Sequence, residues 1–162
     1  MTVLIPVTAL YAGLHGLLLI ALSGLVIRQR VKQHVDLGDG GNEAMLRAMR
    51  VQANFVEYVP LALLLLGVWE LNGGHRLWMH VAGITLLVAR LFHAWGISHA
   101  SGPSIGRGVG VFGTWAVLLG LSVVNVFGFA PVWPIKRGRS RDRMPVVAAQ
   151  LVFFRGIGFD FL

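Results

Sequence analysis

The sequence predicts an all-α membrane protein, a bundle of four transmembrane helices. Three observations carry that prediction. Of the 162 residues, 56% are hydrophobic and only 13% are charged, and the mean hydropathy is +0.71. That is more apolar surface than a soluble domain of this length needs. Four continuous apolar runs each approach the roughly 20 residues required of a helix that crosses a bilayer. Between the runs stand turn-forming clusters: Leu37-Gly-Asp-Gly-Gly-Asn42, Asn72-Gly-Gly74 and Ser101-Gly-Pro-Ser104.

The first run extends from about Val3 to Ile27. It is too long for a cleavable signal peptide and lacks the basic start of one. The second covers about Val51 to Leu71, with a polar, amphipathic lead-in from Glu43. The third covers about Leu77 to Ile97. The fourth covers about Gly108 to Phe129, and its glycines at 108, 110, 113 and 120 read as sites of close helix packing. No run alternates with period two, which argues against strands. No internal repeat of the inverted-transporter kind is present. The four spans make one membrane domain, residues 1-130. Residues 131-162 form a separate tail, basic from Lys136 to Arg143 and apolar from Val146 to Phe154. That apolar stretch is too short to span, so the tail reads as a surface-lying segment or a non-native extension.

Four spans place both termini on one side. Arg28, Arg30, Lys32, Arg47, Arg50 and Arg107 flank the first and third loops, against Arg76 at the second. With the tail set aside, the excess of Lys and Arg makes the first and third loops cytoplasmic. The net charge of +7 is concentrated beside apolar spans, which suits a membrane surface or a bound anion rather than nucleic acid. With no cysteine, there is no disulfide framework and no thiolate metal site.

Chemistry concentrates at the entry to the second span, Arg47-Ala-Met-Arg50-Val-Gln52-Ala-Asn54-Phe-Val-Glu57-Tyr58-Val-Pro60. Ionisable groups entering an apolar helix are costly unless they pair or line a polar cavity. At 100° per residue, Arg47, Arg50, Asn54, Glu57 and Tyr58 share one face, while Gln52 points the opposite way. Such a face can hold a zwitterion, with Arg for its carboxylates, Glu for its ammonium and Asn for an amide. It can equally be an Arg50–Glu57 or Asn54 network that only pins helices together. The third span adds Arg90 and His93, one turn apart, and His80. A histidine on an apolar helix is more often a packing residue than a ligand, although His15, His80 and His93 also allow axial haem ligation. Arg107 reads as an interfacial anchor by itself. Glu70 falls at the opposite interface, where it needs no functional role.

The pattern Arg-x-x-Arg-x-Gln-x-Asn-x-x-Glu-Tyr-x-Pro resembles the MAPEG family, the membrane-associated proteins of eicosanoid and glutathione metabolism. From Arg47 to Pro60 it is similar to the leukotriene-C synthase branch. Ala89-Arg90-Leu-Phe-His93-Ala-Trp-Gly96 resembles the prostaglandin E synthase branch, and the Leu-Gly-Asp-Gly-Gly-Asn loop resembles the bacterial branch. The resemblance covers about residues 3 to 129. It implies a homotrimer with glutathione sites between neighbouring subunits, open to the cytosol. On that basis Arg50, Asn54, Glu57, Tyr58 and His93 would bind glutathione from one subunit. Gln52 and either Arg28 or Arg30 would reach in from the next. Arg107 matches the catalytic arginine that stabilises the glutathione thiolate. One departure stands out: where family synthases carry a tyrosine four residues after the His93 position, this chain has Ile97.

The resemblance thus implies a multi-pass protein of a bacterial inner membrane. It would bind glutathione as co-substrate and act as a transferase or peroxidase on apolar electrophiles arriving from the lipid bilayer. No metal is called for. The alternative is a non-catalytic membrane protein that takes a small anion or a lipid in the same inter-subunit pocket.

Overall fold

A computed structural model describes residues 4–99 and 104–129. The tail and the Ser101–Pro103 part of the third turn lie outside the described residues. Four helices follow one another: α1 (Pro6–Gln33), α2 (Glu43–Leu71), α3 (Arg76–His99) and α4 (Ile105–Phe129). All four are long and apolar enough to cross a membrane. α2 packs on α1, α3 and α4, and α3 packs on α1 and α4, but the backbones of α1 and α4 do not approach each other closely. The bundle is therefore a diamond in section, with α2 and α3 across its short diagonal.

Two helices outrun their apolar segments. α1 continues past Ile27 through Arg28, Arg30 and Lys32 to Gln33. Cations near a helix C-terminus interact favourably with its dipole, and Arg28 and Lys32 are exposed. His34 then turns left-handed at φ 52° and ends the helix. The loop that follows is closed by Arg30, whose guanidinium donates to the carbonyls of Val35 (3.4 Å), Asp36 (2.8 Å) and Gly38 (3.4 Å). Gly40, at φ 59°, lies where a Cβ would meet the Val35 side chain, so the glycine is required twice over. α2 begins at Glu43, with the polar lead-in forming its first two turns. The Asn42 side chain caps it by accepting from the Met45 N–H at 3.1 Å.

The N-terminus of α1 is capped from another helix. Ile5, at the N-cap position, supplies no side-chain bond. The Glu70 carboxylate of α2 instead accepts the N–H of Val7 at 2.8 Å and that of Thr8 at 2.7 Å. Orphan donors at a helix start are costly at a membrane, and a carboxylate also suits the positive end of the dipole. Glu70 is thus a structural clasp between α1 and α2. Glu70→Ala should lower stability by about 2 kcal/mol, the worth of a charge-assisted pair of bonds to orphan donors, and Glu70→Gln by less. Thermal unfolding in a mild detergent checks this; a Glu70→Ala variant that melts with wild type refutes the clasp.

Two apolar clusters fill the bundle. One gathers Val7, Tyr11, Ala62, Leu66, Met79, Leu86, Val117 and Leu121 near the termini. The other gathers Leu22, Val51, Phe55, Val59 and Ile97 near the first and third loops. Tyr11 stands in the first, its hydroxyl donating to the His80 carbonyl at 3.1 Å and lying 3.1 Å from His80 Nδ1. Gly83 makes room for the Tyr11 ring, which a Cβ there would strike. Asn125 ties α4 to α2 by donating to the Leu65 carbonyl at 3.0 Å.

Of the four α4 glycines read as packing sites, two behave so. A Cβ at Gly110 would fall on His93, and one at Gly113 would lie 3.0 Å from the Ala89 Cβ. Gly108 and Gly120 face open space, with nothing within 4 Å of an added Cβ. Outside the original set, Gly96 and Gly106 complete the close approach of α3 to the start of α4.

Candidate functional site

Because α2 runs unbroken from Glu43, the motif residues stack along one side of it. Arg50 and Glu57 are exposed on the single chain, and Asn54 and Tyr58 are half-buried between them. Among the described residues the one ion pair is Arg47 with Glu43, at 3.1 Å on the helix's first turns. Arg50 and Glu57 are not paired with each other. At 1.5 Å per residue, Arg50 and Glu57 are about 10 Å apart along the axis. A carboxylate exposed two turns inside an apolar span is expensive in lipid. Two clefts of the single chain lie elsewhere. One, of about 240 Å³, lies between α1 and α2 beside Gln29 and Ser98. The other, of about 480 Å³, is an apolar groove between α3 and α4 near Trp69 and Trp78. Neither is lined by Arg50, Asn54, Glu57 or Tyr58.

Behind the face lies a polar layer. Arg90 of α3 is only 2% exposed. Its guanidinium donates to Asn54 Oδ1 at 2.7 Å and to Thr114 Oγ1 at 3.2 Å, and stands 6.0 Å over the Phe55 ring. Thr114 in turn donates to the Gly110 carbonyl at 2.7 Å. α2, α3 and α4 are thereby joined through a single side chain. His93 is buried beside this link, packed on Gly110 and close to the backbone of Arg107 at the start of α4. His15 is buried on α1, its Nδ1 2.7 Å from the Tyr11 carbonyl and its ring 6.0 Å from Phe55.

The remaining candidates fall at different places. Gln52 does face away from Asn54 and Glu57, and it donates to Ser23 Oγ of α1 in the same chain at 2.9 Å. Arg30 is held by the loop carbonyls, whereas Arg28 is exposed. Arg107 is exposed in the first turn of α4, its backbone N–H donating to Ser104 Oγ at 3.3 Å. Ile97 faces the interior with Leu22, Val51, Phe55 and Val59. The single chain therefore brings Asn54 and Arg90 into contact and aligns Arg50, Glu57 and Tyr58 beside them. Arg28, Gln52 and Arg107 are not gathered with that set, and His93 lies inside.

Arg90 is the residue that sequence reasoning noted without assigning a role. Its signal was plain in retrospect: a guanidinium in the middle of an apolar helix must find partners, and its two partners are polar groups on the neighbouring spans.

A four-helix membrane bundle with a polar motif at the head of α2 defines a class, and comparison identifies it. The profile of the MAPEG family matches residues 8–127, and the chain belongs to that family. It is 39% identical over 121 residues to the inner membrane protein YecN of Escherichia coli strain K12, an alignment covering 75% of this chain and 91% of that relative. The same figures hold for the inner membrane protein YecN of Escherichia coli O6:H1 strain CFT073.

Proposed function

We propose that the protein is a glutathione-binding component of a bacterial inner membrane, active as a homotrimer with its first and third loops in the cytoplasm. The observation that carries the proposal is the exposed face Arg50–Asn54–Glu57–Tyr58 at the entry of an apolar span. A neighbouring subunit laid against that face would remove the cost of charge in lipid and enclose a pocket. The roughly 10 Å between Arg50 and Glu57 suits a tripeptide, which spans about 10 Å when extended. Arg50 takes a carboxylate, Glu57 the ammonium, and Tyr58 and Asn54 the groups between. Arg28 is the α1 arginine free of the loop and so the better placed to reach a neighbour's site.

The chemistry proposed is attack by the glutathione thiolate on an apolar electrophile from the bilayer, or reduction of a peroxide. Arg107 supplies the positive charge that lowers the thiol pKa in a poorly hydrated site. One observation favours the non-catalytic alternative: Ile97 belongs to the core, so this chain places no hydroxyl there. Native mass spectrometry of the protein released from mild detergent, with glutathione titrated in, tests the proposal. A trimer carrying up to three glutathione molecules is expected. A monomer or dimer, or a trimer that takes up none, overturns it. Uptake without conjugation of any electrophile supports the binding-only alternative.

A further inference from the structure

We infer that Arg90 is a positioning residue that fixes Asn54 as a hydrogen-bond donor, so that Asn54 recognises a carbonyl or carboxylate oxygen of the ligand and not its ammonium. The inference rests on the glutathione reading above and assigns a polarity within it. A guanidinium has five donors and no acceptor. The atom 2.7 Å from it must therefore be the oxygen of the Asn54 carboxamide, and the usual ambiguity of amide orientation does not arise.

With its oxygen turned inward, Asn54 is left with its NH2 group. That group has no partner among the described residues and is not sealed inside the chain. An unpaired N–H at the entry of an apolar span carries a desolvation cost. An acceptor on the ligand would remove it.

The orientation is held from three sides. The Thr114 hydroxyl spends its proton on the Gly110 carbonyl at 2.7 Å, so its oxygen is free to accept the second branch of Arg90 at 3.2 Å. The Phe55 ring lies 6.0 Å below the guanidinium, and the side chain is only 2% exposed, which leaves it little freedom to swing. No carboxylate is ion-paired with Arg90 among the described residues. Its shortest polar contact is with the Asn54 amide, and the Glu57 carboxylate acts on it only over a longer distance. A hydrogen bond accepted from a cation polarises the carboxamide and makes its N–H groups better donors. In the glutathione reading, Asn54 takes an oxygen of the peptide, and Glu57 is left to take the ammonium.

Asn54→Asp separates this role from a structural one. The aspartate retains an oxygen for Arg90 and adds a pairing charge, but has no N–H to offer a ligand. The experiment measures melting temperature and glutathione affinity for wild type, Asn54→Asp and Arg90→Lys in one detergent. Asn54→Asp should melt no lower than wild type yet bind glutathione roughly tenfold or more weakly, the loss expected for one hydrogen bond to a charged or strongly polar group. Arg90→Lys keeps the cation with a less directional donor, and should bind at an affinity between the two. Wild-type affinity in Asn54→Asp overturns the inference, because the donor is then not used. A lowered melting temperature in Asn54→Asp also overturns it, because Arg90 is then not bonded to the amide oxygen. If wild type itself takes no glutathione, the functional reading falls and the ligand half of the inference with it. The melting comparison still decides the Arg90–Asn54 bond.

Discussion

Arg50→Ala and Glu57→Ala should each weaken glutathione binding by roughly a hundredfold or more. The proposed site holds opposite charges at opposite ends of a zwitterion, and removing one protein charge leaves the ligand's matching charge desolvated and unpaired. Truncating one partner of a buried, hydrogen-bonded charge pair costs about 2–5 kcal/mol, and every 1.4 kcal/mol is a factor of ten in affinity. Both variants should fold. Neither side chain belongs to the two apolar clusters, both are exposed on the single chain, and they are not paired with each other. Unchanged melting with lost binding is therefore the expected signature. Calorimetry that returned wild-type affinity in both variants would remove the face from any role in glutathione recognition.

Gly110→Val should be the most damaging single change in the helix packing. The atoms that an added Cβ would strike are the backbone N and Cα of His93 and its Cβ. None of these can move by a change of rotamer, so α3 and α4 must part. The Arg90–Thr114 bond lies one turn away on each helix, and parting the helices pulls it open. Overpacking by itself costs about 1–3 kcal/mol, and freeing a buried guanidinium from a partner adds to that. A loss of about 3 kcal/mol or more is expected. Gly108→Ala and Gly120→Ala provide the contrast. An added methyl at either meets nothing within 4 Å, and alanine is favoured over glycine in a helix by about 1 kcal/mol. Those two variants should be as stable as wild type or slightly more so. Thermal unfolding of the three in detergent decides the matter: if Gly110→Val melts like Gly108→Ala, the contact with His93 is not a constraint.

The proposed ligand face and the helix packing meet at Arg90, which explains why the site and the core are difficult to separate in this chain. Asn54 is at once a member of the exposed face and a partner of a buried cation. The bland reading of the motif, a network that pins helices, is thus partly right for Asn54. Arg50 and Glu57 are a different case, since no bond between them draws them into such a network.

What the sequence determined by itself is everything that follows from periodicity and hydropathy. The four spans, their order and the polar side of α2 are local properties: a run of about 20 apolar residues has few alternatives in a bilayer, and residues at i, i+4, i+7 and i+8 must share a face. The opposite direction of Gln52 follows in the same way. Tertiary structure alone decided which residue meets which. Glu70 looked like an interfacial carboxylate, and only the packing of α1 against α2 makes it the cap of Val7 and Thr8. Gly108 and Gly110 are equivalent in sequence, and the crossing of α3 over α4 presses on one and misses the other. Arg28 and Arg30 were interchangeable until the loop folded back onto Arg30. Arg90, 36 residues from Asn54 and 24 from Thr114, carried no spacing that named its partners. Its burial cost could be read from one helix. The groups that meet that cost lie on two others, and only the bundle brings them within reach.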